Sequence, residues 1–205
     1  MGQHGPAAVA IFMRHQTPWP FELPMPDERK TRYGTRKMTD TTTKPHADVN
    51  LMAHLSDRQK QNVRTWMSLQ DTLNAGKFGA EMDAFFHPEM TYGNPSRPDL
   101  GSYQSWKTSP AELYKRFPPS HYRTIDAWAK GDDEICVYCH HYGKLTGGRY
   151  MGIEPNGQEI NVEWFSTVNF KDGKIIRIFS IADVLGMMIA VGRIDPAVMP
   201  IDPYK

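Results

Sequence analysis

Asp172-Gly173 stands between two runs rich in β-branched and aromatic residues, Ile160 to Phe170 and Ile175 to Ala182. A two-residue hairpin turn favours Asp-Gly, because its central residues take positive φ. The two runs are therefore read as adjacent antiparallel strands. If Lys171 pairs with Lys174, Trp164 stands opposite Ile181 and Val162 opposite Asp183. Alternation then puts Trp164, Phe179 and Asp183 on one face, unless a bulge changes the parity. Two upstream runs have the same chemistry, Arg123 to Ala129 and Ile135 to Tyr142, with Lys130-Gly131-Asp132-Asp133 as the turn between them.

The helical signals come earlier. Ser56 with Gln59 forms a capping-box pattern, and Val63, Trp66, Met67 and Leu73 follow at helical spacing up to Asn74-Ala75-Gly76. A second helix is expected with Phe78, Met82, Phe85 and Phe86 inward, stopping at His87-Pro88, and Met90 to Tyr92 as a short strand. Ser109-Pro110-Ala111-Glu112 reads as another capping box, closed by Pro118-Pro119. Val184 to Val191 reads as a last buried helix. Helices followed by an antiparallel sheet mean an α+β fold. Residues 1–50 show no period and hold Pro18, Pro20, Pro24 and Pro26. They are read as an extended proline-rich arm, with Ile11, Phe12, Trp19, Phe21, Leu23 and Met25 for burial against its own domain or a partner. The domain is expected over 51–192 and a tail over 193–205.

Three stretches carry a family resemblance. They are Leu73-Asn74-Ala75-Gly76-Lys77 with Phe85-Phe86-His87-Pro88-Glu89; Gly143 to Gly147 with Gly152 to Gly157; and Phe170 to Ile176 with Asp183-Val184-Leu185-Gly186. In this order they resemble the SnoaL-like polyketide cyclases, over about residues 60–192. The resemblance implies a cone-shaped barrel, a curved antiparallel sheet around helices with a deep pocket. It implies a frequent homodimer and no metal or cofactor. Its chemistries include cyclisation, isomerisation, dehydration and carbon–carbon lyase reactions, so it speaks for the fold more than for the reaction.

The same resemblance singles out Asp183. The family pattern reads Trp-x-x-x-Asp; here Phe179 replaces the tryptophan, and Ser180 stands where some members have a second aspartate. Asp183 is either a general base with a raised pKa in an apolar pocket or the cap of the last helix. His140 and His141 are adjacent in a strand and must face opposite ways, so one faces the pocket as a proton-transfer group. Tyr138 and Tyr142 share a face with His140, which places His140 first. Tyr92 is a further catalytic candidate. Trp164, Phe179, Tyr138, Tyr142, Asn94 and Trp106 are expected to bind substrate, with Tyr103 beside Trp106 in a lid. For Tyr92, Asn94, Tyr103 and Trp106, simple packing is the competing explanation.

Cys136-Val137-Tyr138-Cys139-His140 matches the C-x-x-C-H pattern of haem attachment. In a strand, cysteines three apart point to opposite faces, so inert thiols are expected instead. No second Cys/His pair has zinc-ligand spacing. The 24 basic and 23 acidic residues give a net charge of +1, which disfavours a nucleic-acid partner. No apolar run reaches the roughly 20 residues of a membrane span. Ala7 to Met13 lacks the basic flank and cleavage site of a secretory signal, so the cytoplasm is expected. Together these features suggest a cofactor-free acid–base enzyme for a small apolar, aromatic molecule, acting as lyase, cyclase or dehydratase. The alternative is a ligand-binding or assembly module on the same barrel. Two titratable groups facing each other in a closed apolar pocket would separate the two.

Overall fold

The computed structural model describes residues 45–195. Residues 1–44 of the expected arm and 196–205 of the expected tail lie outside the described residues. A short 3₁₀ turn at Val49–Leu51 leads into helix α1, Asp57–Asn74. Ser56 and Gln59 cap it reciprocally, as their spacing requires. Helix α2 (Ala80–Asp83), strand β1 (Phe86–Gly93) and helices α3 (Tyr103–Trp106) and α4 (Thr108–Arg116) follow. Strands β2 (His121–Ala129), β3 (Glu134–Lys144), β4 (Glu159–Lys171) and β5 (Lys174–Ala182) complete the sheet, and α5 spans Val184–Ala190.

The five strands lie in the order β1-β5-β4-β3-β2. Only the β1–β5 pair is parallel. The sheet is curved and unclosed, in the α+β arrangement expected. Helix α1 turns Val63, Trp66, Met67, Gln70 and Leu73 inward. Its polar residues tie it to the sheet: Gln70 Nε2 donates to Cys139 Sγ at 3.4 Å and Gln70 Oε1 accepts from Thr124 Oγ1 at 2.8 Å. Those bonds settle which face of β3 is inner, the face carrying Val137, Cys139 and His141. At the outer edge of β2, Ala47 donates its N–H to the Thr124 carbonyl at 3.0 Å, which covers part of an otherwise open strand edge.

The Asp172-Gly173 turn forms as its chemistry dictates, with φ of 52° and 74°, and Lys171 pairs with Lys174. Past the turn the register departs from the sequence expectation. Phe170 pairs with Ile175 but Asn169 with Arg177, so Ile176 is an extra residue. This bulge moves Trp164 opposite Ala182 rather than Ile181. Trp164 therefore shares the inner face with Ser166, Val168, Ile178, Ser180 and Ala182, and Phe179 goes to the outer face. Two other expectations are corrected. Phe86, His87 and Pro88 belong to β1 rather than to the end of a helix. Ser109 caps nothing; the second reciprocal cap is made by Ser102 and Ser105 at α3, and α4 begins at Thr108.

The interior has two hydrophobic clusters. The larger joins α1, α2 and α3 to the sheet through residues such as Leu69, Met82, Val137, Val168 and Ile178. The smaller gathers Phe117, Leu145, Ile160, Val162 and Val191, with Tyr150, Ala182 and Met187 partly buried against it.

Candidate functional site

A polar group lies on the inner face between these clusters, where α1 has ended and the sheet continues. His141, opposite Tyr122 in the β2–β3 pairing, accepts or donates a bond at Nε2 with the Ser120 hydroxyl, 2.7 Å away. The Tyr122 ring lies flat on the imidazole, with centroids 4.1 Å apart and planes 5° apart. The edge of Trp164 meets Tyr122 at 6.0 Å and 82°. His141 and Tyr122 are buried, whereas Trp164 is only half-buried although it points inward. Tyr92, Ala182, Tyr150 and Met187 are likewise half-buried. Strands place Tyr92, Trp164 and Ala182 on this face because they pair as Tyr92–Ile178 and Trp164–Ala182 on either side of the Ser166–Ser180 pair.

Burial sets the electrostatics. It pushes His141 down to about 3, helped by the positive charge that His140 and His121 would carry. The ring is neutral at ordinary pH. Burial also holds the Tyr122 phenol well above its usual range, against the smaller opposing effect of a hydrogen bond with the Ser120 side chain. Just past the end of β1 the Asn94 amide donates to the Tyr92 hydroxyl at 3.1 Å, which leaves the Tyr92 proton free to be given elsewhere. Asn94 is itself held by an Asx turn, its Oδ1 accepting from Ser96 N at 2.8 Å. Trp106 is buried against Phe86 at 5.1 Å and reaches Tyr92 at 6.1 Å. Tyr103 packs beside it and hydrogen-bonds Asp83. Ser166 and Ser180, both buried, satisfy one another at 2.7 Å.

Of the residues singled out from sequence, His141, Tyr92 and Trp164 face inward, with Asn94 and Trp106 tied to Tyr92. His140, Tyr138, Tyr142 and Phe179 are on the opposite face. The expectation that ranked His140 first is thereby corrected, since the bonds from α1 to Cys139 make the odd-numbered side of β3 the inner one. On the outer face, His140 pairs across the strands with Arg123 and Glu163, and burial followed by the Arg123 charge pushes it down to about 4. Tyr138 stacks on Phe165 at 4.7 Å. Phe179 lies over Gly93, where a Cβ would come within 2.8 Å of its ring.

Asp183 lies where β5 enters α5 and is exposed. Its Oδ1 accepts from Gly186 N at 2.7 Å, so it caps the helix. Glycine at 186 permits this, because a Cβ there would lie 2.1 Å from Asp183 Oδ2. Tyr122 and Ser120 were missed by sequence reasoning, which began β2 at Arg123. The available signal was Asn74 at the end of α1, whose side chain makes both backbone bonds of Tyr122. Cys136 and Cys139 point to opposite faces of β3, as alternation requires. Among the described residues no group of three or more His, Cys, Asp or Glu side chains could hold a metal ion. None of the described helices is long and apolar enough to cross a membrane.

The family model for SnoaL-like polyketide cyclases matches residues 63–191. The chain belongs to this family. Similar solved structures agree on the fold. A protein from Jannaschia sp. CCS1, provisionally assigned as a SnoaL-like polyketide cyclase, is 22% identical with a TM-score of 0.58, over 67% of this chain and 95% of that one. IdmH from Streptomyces antibioticus, provisionally a polyketide cyclase, is 19% identical with a TM-score of 0.56, over 64% and 99%. AclR from Streptomyces galilaeus, provisionally a hydroxylase, is 14% identical with a TM-score of 0.58, over 65% and 97%. No curated protein matches the chain. Family membership supports a cyclase-type function and a small-molecule substrate.

Proposed function

We propose that this SnoaL-like domain is a cofactor-independent acid–base enzyme that closes or opens a ring in a small, largely apolar, aromatic substrate held on the inner face of the sheet. An aldol-type ring closure fits. A carbon next to a carbonyl loses a proton, the carbanion forms a bond to a second carbonyl carbon, and that oxygen takes up a proton. Atoms and electrons balance without an oxidant or reductant. The observation that carries the reading is the buried His141–Ser120 pair beside the half-buried Trp164. A histidine pushed down to about 3 does not keep a proton. Being neutral, it takes the α-carbon proton through the Ser120 hydroxyl it is bonded to, while Tyr92, accepting from Asn94, has a proton to give to the oxygen of the second carbonyl. Trp164 supplies a flat apolar wall for rings.

A second reading has its own support. Asp183 is occupied as a helix cap, and Ser180, paired with Ser166, stands where a carboxylate is found in some relatives. A site without a free carboxylate suits a ligand-binding module. Deuterium exchange at the α-carbons of 2-tetralone in D2O, followed by NMR, separates the two. The enzyme reading expects exchange faster than with heat-denatured protein, and a loss of about 100-fold or more in His141→Gln. Binding of 2-tetralone with no acceleration would sink the enzyme reading in favour of the module.

A further inference from the structure

We propose that the outer face of the sheet carries a second site, in which Arg123 and His140 bind the carboxylate of a small aromatic acid. This site lies across the sheet from the inner-face group and does not depend on it.

Two buried side-chain nitrogens among the described residues lack a hydrogen bond, Arg123 Nε and His140 Nδ1. They belong to one cross-strand pair, because Arg123 on β2 stands directly opposite His140 on β3. The two gaps are therefore one place. His140 is only 3% exposed, although Phe165 and Ile181 on the same face are open to solvent. The charge on the β2 side is positive. His121 precedes Arg123 by two residues and shares its face, and His46 lies close enough to feel both. Among the described residues the Arg123 guanidinium makes no ion pair. The carboxylate on the other flank is Glu163 of β4, which stands opposite His140 and is engaged by the Tyr138 hydroxyl.

A buried nitrogen without a partner destabilises a fold, and leucine at 140 would cover the strands without that penalty. A guanidinium with no carboxylate, next to such an imidazole, makes a place for an anion. A carboxylate offers one oxygen to Arg123 Nε–H and the other to His140 Nδ1. Its binding selects the state of the imidazole with a proton on Nδ1. The ring is called for by the next residues along β3 and β4. Tyr138 and Phe165 stack there at 4.7 Å with planes 13° apart, and Phe165 is exposed. Two residues along a strand span about 7 Å, close to the length of benzoate. An arene carboxylate thus reaches Arg123 and His140 with its acid group while its ring lies against Phe165.

The test uses the full chain with sodium benzoate, benzamide and inorganic phosphate as probes, read by calorimetry. Benzamide keeps the ring without the charge, and phosphate keeps the charge without the ring. Benzoate is expected to bind at least about tenfold more tightly than either, and at least about tenfold more weakly to Arg123→Gln, the scale of a hydrogen bond to a charged group. ¹⁵N NMR of the native chain at neutral pH is expected to show a proton on His140 Nδ1 when benzoate is bound, a reading that needs no variant. Absence of benzoate binding, equal binding of benzamide or phosphate, or a bound state with no proton on His140 Nδ1 overturns the inference. Benzoate binding that appears only when Ile181→Ser splits a native dimer also overturns it, because a second copy is then the occupant of this face.

Discussion

The two faces of β3 carry nearly the same chemistry and put it to different ends. Each face has one cysteine and one histidine, and each histidine lies opposite a neighbour on β2. On the inner face, Cys139 accepts bonds from Trp66 Nε1 and Gln70 Nε2, both at 3.4 Å, and His141 is bonded to Ser120 and stacked on Tyr122. On the outer face, Cys136 is half-buried and His140 has a buried Nδ1 with no hydrogen bond. Phe165 and Ile181 are exposed there at 49% and 59%, enough to show that the described helices leave that face open. The inner histidine is thus fixed in place by named partners, whereas the outer one sits between Arg123 and Glu163 without such a bond. Identical residue types acquire different properties because only one face is closed over by α1.

Thiol labelling tests this contrast with the largest expected effect. Cys139 is fully buried, with burial pushing its thiol up to about 12. It should react with a disulfide reagent only when the chain opens, at least about a thousandfold slower than Cys136. One fast equivalent in native buffer, two in urea, and none fast in Cys136→Ser are the expected counts. Two fast equivalents in native buffer would mean that the inner face is not closed.

Leucine placed at each histidine gives the next effect. His141→Leu leaves the buried Ser120 hydroxyl unpaired and should cost about 1–3 kcal/mol in urea denaturation. His140→Leu removes a buried nitrogen that has no partner and should be neutral or stabilising. Equal losses at the two positions would break the comparison.

The last effect is in acid. An unfolded histidine titrates near its ordinary 6.5, but His141 is held at about 3 and His140 at about 4. Below pH 6.5 the unfolded chain binds protons that the folded chain refuses. The contribution to stability is therefore full above pH 6.5 and declines as the pH falls towards the folded values. The slope is at most about 1.4 kcal/mol per pH unit for each histidine. NMR of the imidazole protons at pH 4 should find His140 near half-protonated and His141 still neutral. A His141 midpoint close to 6 would contradict its burial.

The sequence carried local information well. The Ser56–Gln59 cap, the Asp172-Gly173 turn and the four apolar runs from 123 to 182 are all short-range patterns, and each became the expected element. The same holds for the adjacency of His140 and His141: alternation alone required one on each face. The errors arose where one residue of register decides a face. The bulge at Ile176 has no sequence signature of its own, yet it moved Phe179 away from Trp164. Tyr122 escaped notice because a single strand residue looks the same whether its hydroxyl is bonded or not.

By itself, the amino-acid order determined the α+β class, the hairpin and the strict alternation along β3, since these depend on backbone preferences within a few residues. Tertiary structure decided which histidine faces inward, that Asp183 bonds Gly186 as a cap, and that Tyr122 meets His141 and Trp164. Those outcomes depend on α1 bonding Cys139 and Thr124 across more than fifty residues of chain, and on strand register. Side-chain direction in a sheet reverses with every one-residue shift, so a long-range contact has to select the face.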